Sequence, residues 1–432
     1  MFQLPLQEVK MIDKKISGLG TLFILLAVST ILLLLWSFIV PIYESPDEDH
    51  HWAYANYLHK NWRLPIYDKQ LFEANSPPLY YLLVAPLAAD SVQPQSIRNS
   101  ANESPLPPRW FNDSIYDSEY YWPIRLGRFV SIVISVLTVL FCYLAGAEAT
   151  GQESTGLLAG GLAILLPQFT FRGMNVSNDA LVTMTCAAVT YLIVRLIKRG
   201  FTWKLAVAAS ILSALAFLSK TNAIFLPVPF GLAILGAPGP WKLRLGRLSV
   251  MGIALLMVAP WLVRNQILYG DPLASRVMFT VVDFLVDPKP ITSPYFLTMF
   301  PRYLFMSFIG MFGWLNLRLP NWIYLLFGSL GVAALLGLIW RGFQRKTQWF
   351  LTFILLTFPI LSIMVTIYIN LRFSQPQGRY LFPALGAIVL LAAMGLEGLP
   401  FWNKKLTFLL LGILLLVNLY IVGAVIIPAY SL

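Results

Sequence analysis

Charge is scarce in this sequence. Only 12% of residues are Asp, Glu, Lys or Arg, while 58% are hydrophobic, where a soluble protein has about 25% and roughly 45 to 50%. With a mean hydropathy of +0.70, a soluble globular class is excluded and the chain reads as a polytopic membrane protein. Cysteine is nearly absent: Cys142 and Cys186 both fall within apolar runs, which excludes a disulfide scaffold and leaves them as small apolar residues. No internal repeat is visible, which weakens the case for an inverted-repeat transporter. The first apolar run is too long for a signal peptide and no small-residue cleavage site follows it, so it is expected to be a retained helix. Histidine is limited to His50, His51 and His59, all in one short stretch.

What the chain does have is apolar length. Hydrophobic runs at roughly 17–42, 124–147, 155–171, 180–197, 205–219, 222–236, 248–266, 321–340, 348–370, 379–396 and 407–428 approach the roughly 20 residues that cross a bilayer. The net charge of +11 would suggest a nucleic-acid partner in a soluble protein. In a membrane protein it first reports which loops face the cytoplasm. With the basic amino terminus inside, the segments "KRGFTWK", "PGPWKLRLGR", "RGFQRK" and "NKK" all alternate to the same side. That side collects 15 of the 31 Lys and Arg residues and five of the 20 acids, so the outer side is densely charged but almost neutral. The positive charge is thereby a topology signal, and nothing supports nucleic acid as a partner. The expected architecture is a single all-α multi-pass domain over residues 1–432, a bundle of about eleven transmembrane helices. It would lie in the plasma or inner membrane, with its amino terminus cytoplasmic and its carboxyl terminus extracytoplasmic.

Two outer loops are long, 43–123 and 267–320, and long loops usually carry function. Each holds a shorter apolar run, "PPLYYLLVAPLAA" and "YLFMSFIGMFGWL", expected as an interfacial or re-entrant helix. The first loop opens with "YESPDEDHHWAY". Ser45, Pro46 and Glu48 have the spacing of a capping box, with Ser45 as N-cap and Glu48 three residues on, so local helix chemistry accounts for part of the acidity. Asp47 and His51 are four residues apart and share a helix face with Tyr54, which brings a carboxylate, an imidazole and an aromatic together. Ionisable groups beside a membrane are costly enough to be functional candidates.

An Asp-Glu pair in the first outer loop, directly after the first span, resembles the GT-C superfamily of membrane glycosyltransferases, which includes protein O-mannosyltransferases and lipid A aminoarabinose transferases. "NSPPLYYLL" (75–83), "SNDALV" (177–182), "PWLVRNQILYGDPL" (260–273) and "QPQGRYLFPAL" (375–385) resemble further family segments in the same order and sidedness. "FIGMFGWLNLRLP" (308–320) is similar to a less characterised bacterial branch. The chain departs at Asn75 and Ser76, where relatives often carry His before the Pro-Pro element.

The resemblance implies transfer of a sugar from a polyprenyl-phosphate donor to the hydroxyl of a lipid, glycan or protein acceptor at the extracytoplasmic face. Asp47 is expected as general base, with Glu48 orienting or binding the acceptor. Arg379 in "QGRY", beside Gln377 and Tyr380, is the leading phosphate ligand, because a guanidinium binds phosphate oxygens through two parallel hydrogen bonds. Lys220 and Arg264 are further phosphate or carboxylate partners. Asp179 is either a second acceptor-side acid or a helix cap, and His51 is expected to contact substrate. No cofactor is required. A divalent metal on Asp47 and His51, with His50 or Glu48, is a competing use, although adjacent histidines diverge by about 100° on a helix. A transporter or flippase for a lipid-linked sugar is the alternative class.

Overall fold

The computed structural model describes residues 6–67, 71–88, 121–281, 286–344 and 348–430. In hydrocarbon each backbone N–H and C=O must find a partner within the protein, and helix is the solution open to a single segment. The apolar runs accordingly form helices: α1 (Leu6–Ile39), α2 (Glu48–Asn61), α3 (Leu79–Val84), α4 (Tyr121–Thr150), α5 (Glu153–Ile164), α6 (Pro167–Gly173), α7 (Asn178–Arg199), α8 (Trp203–Ser219) and α9 (Pro227–Leu235). They continue as α10 (Trp241–Arg247), α11 (Met251–Tyr269), α12 (Ser275–Val281), α13 (Phe300–Ile309), α14 (Asn321–Phe343), α15 (Trp349–Asn370), α16 (Leu385–Leu396), α17 (Lys404–Ile421) and α18 (Ile427–Tyr430).

Among the described residues, eight helical segments are long and apolar enough to cross a membrane, or nine if a bent pair is one span. The expected eleven runs are all helical, but 205–219 and 222–236 belong to apolar helices of only 17 and 15 residues. The run at 155–171 is broken between α5 and α6 by 68°. Pro167 opens α6 at its first turn, where proline is tolerated. The carbonyls released at the break are recaptured: Thr170 Oγ1 donates to the Ile164 oxygen (2.6 Å) and Asn418 Nδ2 to the Leu165 oxygen (2.9 Å).

Helix packing relies on small residues, as expected where lipid gives no hydrophobic drive between helices. At Gly337 of α14 and Gly395 of α16, an added Cβ would overlap the backbone of the facing helix. Outward positions such as Leu256, Ile267, Leu325 and Phe343 are more than 70% exposed, an apolar surface suited to hydrocarbon.

The two ends of the bundle differ. At one end Arg199 of α7 pairs with Glu148 of α4, Thr155 Oγ1 meets Glu397, and Gln348 reaches the Ala149 carbonyl. The other end holds the turn between α1 and α2, the start of α7, the end of α8 and the start of the 378–396 span.

The two apolar runs of the long loops fold differently from each other. In the first, α3 runs into a 3₁₀ turn at Ala85–Leu87, burying Tyr80 and Tyr81 while Leu82 and Leu83 stay about half exposed. In the second, expected as one helix, α13 stops at Gly310 and a two-stranded antiparallel hairpin follows, β1 (Met311–Phe312) pairing with β2 (Leu317–Arg318). Its turn uses Gly313 at φ 57°, a conformation glycine takes without penalty. Most of the Pro- and aromatic-rich stretch 102–123 lies outside the described residues. Cys142 and Cys186 are buried and free.

Candidate active site

The turn joining α1 to α2 determines where Asp47 points. Tyr43 (φ 69°) and Asp47 (φ 67°) both adopt the left-handed conformation, which opposes most L-residues and which aspartate tolerates better than most. Glu48 fixes the turn. Its carboxylate is fully buried, takes two hydrogen bonds from Arg128 (Nε to Oε1, 2.7 Å; Nη2 to Oε2, 2.6 Å), and accepts from the backbone N–H groups of Tyr43 (2.9 Å) and Val176 (3.1 Å). Arg128 also donates to the carbonyls of Ser37, Val40 and Pro41 at 2.8 to 2.9 Å, so it caps the end of α1. Burial pushes the Glu48 carboxyl up, but Arg128 and the two backbone donors outweigh it and hold it below its usual range.

Two expectations change here. The capping box does not form: α2 starts at Glu48, Asp47 occupies the N-cap position without a side-chain cap bond, and Ser45 Oγ instead accepts from Arg172 Nη1 at 2.7 Å. Buried guanidinium groups offer charge-assisted bonds stronger than a neutral backbone cap. Glu48 is also not placed to bind an acceptor, because both its oxygens are already committed inside the protein.

Asp47 faces the opposite way, into a line of alternating charge. Its Oδ2 lies 2.7 Å from Arg379 Nη2, and Arg379 Nη1 lies 3.9 Å from Asp179 Oδ2. Asp179 Oδ2 pairs with Arg172 Nη2 at 2.8 Å and its Oδ1 with Lys220 Nζ at 2.6 Å. These five groups are three cations and two carboxylates, leaving one positive charge in excess. Side-chain exposure rises along the line, from 2% at Arg172 and Asp179 to 18% at Lys220 and 25% at Asp47, so the cluster opens at its Asp47 and Lys220 edges. Burial raises the Asp47 carboxyl, yet Arg379 and Arg172 more than offset it and hold it well below the carboxylate range.

Each member is delivered by a helix boundary. Lys220 ends α8, where the chain turns into a 3₁₀ segment, Thr221–Phe225. Asp179 sits in the first turn of α7, but the cap is Ser177, whose Oγ accepts from Asp179 N–H, and this frees the aspartate for its ion pairs. Arg379 depends on Gly378, whose N–H donates to Ser307 Oγ (2.8 Å) and whose missing Cβ would overlap the Phe308 backbone. The Tyr380 ring lies within cation–π reach of both Arg379 (5.6 Å) and Lys220 (5.9 Å).

A second polar group adjoins the first through His51. One ring nitrogen shares a hydrogen with Tyr81 Oη (2.8 Å) and the other with Ser177 Oγ (3.3 Å). Burial lowers the imidazole pKa well below its ordinary value, against the pull of Asp47, and keeps it neutral near pH 7. Glu73 Oε2 accepts from Ser76 Oγ (2.7 Å) and from Tyr81 Oη (3.4 Å), and lies 3.8 Å from His51 Nδ1. Burial and the nearby Asp47 charge raise the Glu73 carboxyl to about 7.

Of the residues singled out in the sequence, Asp47, His51, Asp179, Lys220, Arg379 and Tyr380 converge. Arg264 does not. It donates to the Pro65 carbonyl (2.5 Å) and stacks on Trp261. Gln377 contributes a backbone turn to the Gln375 carbonyl and, among the described residues, no side-chain bond to the cluster. Sequence reasoning missed Arg172, Arg128 and Glu73. The two arginines lie in or beside apolar runs, where ionisable residues are rare enough to be flagged. Glu73 carries no such local signal.

A divalent ion has poor prospects at Asp47 and Asp179, whose oxygens already bind three cations that would repel it. His50 points away from His51 and stacks on Phe72 (centroids 5.1 Å). Among the described residues no three His, Cys, Asp or Glu side chains are arranged to hold a metal.

Comparison with known proteins agrees with this architecture. Residues 121–263 match the dolichyl-phosphate-mannose-protein mannosyltransferase family. No curated protein matches the sequence significantly. The fold is similar to that of the oligosaccharyltransferase of Archaeoglobus fulgidus, with 17% identity, a TM-score of 0.54, and coverage of 96% of this chain and 55% of that one. The archaeal enzyme, AglB, is also solved with an inhibitory peptide and a dolichol-phosphate (14% identity, TM-score 0.54, 94% and 55% covered). ArnT from Cupriavidus metallidurans, solved with undecaprenyl phosphate, gives 15% identity and a TM-score of 0.54 over 93% of this chain and 64% of that one. The chain thus spans just over half the length of the oligosaccharyltransferase and under two thirds of ArnT. It shares its fold with these solved membrane proteins, and residues 121–263 within it are similar to the dolichyl-phosphate-mannose-protein mannosyltransferase family.

Proposed function

We propose that this protein transfers a sugar from a polyprenyl-phosphate-linked donor to an acceptor hydroxyl at the extracytoplasmic face of the membrane. The observation that carries this reading is the open charge cluster. Arg172, Arg379 and Lys220 exceed their two carboxylates by one positive charge, and a phosphodiester supplies one negative charge. That ArnT and AglB are solved with polyprenyl phosphates supports the choice of donor.

The donor phosphate competes with Asp47 for the Arg379 guanidinium, whose two N–H groups suit a pair of phosphate oxygens. Lys220, also partly exposed, supplies a second charge as the leaving phosphate develops its own. Asp47, released from Arg379, then lies beside the sugar–phosphate bond and orients the acceptor. Site geometry holds the reactants in position for a leaving group that is already good.

The test uses the full chain in nanodiscs with a panel of undecaprenyl-phosphate sugars and a cell-envelope extract as the source of acceptor hydroxyls, following release of undecaprenyl phosphate. Asp47→Asn keeps the side-chain shape and the tolerance of a left-handed backbone, and is expected to lower transfer about 100-fold at normal protein levels. Arg379→Lys is expected to weaken undecaprenyl phosphate binding about tenfold. Wild-type transfer by Asp47→Asn would remove Asp47 from the reaction. In sealed liposomes, movement of the donor across the membrane without its consumption would identify a flippase instead.

A further inference from the structure

The sequence alone assigns the acceptor's proton to Asp47. In the structure Asp47 is 2.7 Å from Arg379 and shares its surroundings with Arg172 and Lys220, a field of cations that makes its carboxylate a weak base. Glu73 has the opposite setting. Its carboxylate is held by neutral donors, Ser76 Oγ at 2.7 Å and Tyr81 Oη at 3.4 Å, and both bonds fall on Oε2. The side chain is 19% exposed, so it is reachable from outside the protein. Tyr81 is anchored in turn, accepting from Asn178 Nδ2 at 3.2 Å and stacking on Tyr54 with ring centroids 4.0 Å apart. Glu73 is therefore a positioned carboxylate on the rim of the same site.

Resting on the transfer reading above, we propose that Glu73 is the catalytic residue that takes the proton from the acceptor hydroxyl, while Asp47 positions Arg379 and the acceptor. In the step, the acceptor O–H proton passes to Glu73 and the acceptor oxygen forms its bond to the anomeric carbon. The anomeric carbon–phosphate oxygen bond breaks, and its electron pair leaves with polyprenyl phosphate at Arg379 and Lys220. Glu73 then returns its proton to solvent. The proton thus passes to a carboxylate that, unlike Asp47, makes no ion pair with Arg379, Arg172 or Lys220 among the described residues.

The groups facing Glu73 are His51 and Tyr54 from α2, Tyr81 from α3, Tyr67 from the intervening loop, and Asp47, Lys220 and Arg379 across the site. Burial and Asp47 place its titration near pH 7, where a general base is most effective. Turnover is accordingly expected to rise with pH through about 7.

The experiment measures the pH dependence of donor consumption for wild type, Glu73→Gln, Glu73→Asp and Asp47→Asn in nanodiscs, with undecaprenyl phosphate binding and thermal unfolding recorded for each. Glu73→Gln is expected to lose about 100-fold in kcat, with undecaprenyl phosphate binding and unfolding temperature unchanged. Glu73→Asp should recover part of the rate with the ascending pH limb displaced, and Asp47→Asn, which removes a charge that raises the Glu73 carboxyl, should lower the plateau and move the limb to lower pH. A Glu73→Gln protein within threefold of wild type, or one that keeps the ascending limb, overturns the assignment of Glu73 alone. A wild type that consumes no donor in the panel overturns the transfer reading itself, and Glu73 with it.

Discussion

Asp47 and Glu48 are adjacent acids that face two different buried clusters. The Glu48–Arg128 cluster is closed: both partners are fully buried, every oxygen and most N–H groups are matched, and charges balance. The Asp47–Arg379–Asp179–Arg172–Lys220 cluster is open, with exposure rising toward Asp47 and one cation in excess. A closed ion pair does not need a ligand and organises the chain. An unbalanced one leaves charge for something outside the protein to complete. Burial of charge alone therefore does not mark a functional residue, and whether its partners are used up is the better discriminator.

The contrast can be broken from either side. The largest effect is expected in the closed cluster: Arg128→Ala leaves Glu48 buried without its counter-ion, at a cost of about 3 to 5 kcal/mol, and thermal unfolding in detergent should show a loss that donor lipid does not restore. If this variant unfolds like wild type but no longer transfers sugar, the closed cluster is catalytic and the distinction fails. Next comes Gly378→Ala. An added Cβ overlaps the Phe308 backbone, so Arg379 should shift, and undecaprenyl phosphate affinity should fall more than tenfold, a displacement effect of the kind that costs up to about 100-fold in rate. Unchanged affinity would show that Arg379 is not the phosphate ligand.

The smallest effect concerns a third acid of the same turn. Glu44 is 3% exposed, and burial raises its carboxyl to about 7, beside Tyr430 of α18. In the unfolded chain this carboxyl ionises near its ordinary value of about 4.3, while the folded protein keeps its proton until about pH 7. Stability from this group is thus fully present below the ordinary value and is lost as pH rises through 7. Glu44→Gln should therefore raise the unfolding temperature at pH 8 and change it little at pH 4. No difference between the two would show that Glu44 titrates normally.

Much of this was legible in the sequence. Apolar length is a property of single segments, so the helical class could be read directly. Asp47, His51, Asp179, Lys220 and Arg379 stood out because each interrupts or borders an apolar run. The fate of Glu48 was not legible, because its partner Arg128 lies 80 residues away and Ser-Pro-Asp-Glu satisfies a local capping rule equally well. Glu73 was hidden for the opposite reason: it is an unremarkable acid in a polar loop until Tyr81, Ser76 and His51 surround it. Two of the expected spans form apolar helices of only 17 and 15 residues, because hydropathy registers apolarity without registering where a helix stops, as α8 does at Lys220.

The 68° break between α5 and α6 bears on how the protein is made. The Leu165 carbonyl exposed at the bend is matched by Asn418, 253 residues later in the chain. Synthesis runs from the amino terminus, so the bend is inserted long before its partner exists, and an unmatched carbonyl in hydrocarbon costs several kcal/mol. Until α17 is in place that carbonyl lacks the amide that satisfies it in the folded chain, so the late helix completes a joint laid down near the start.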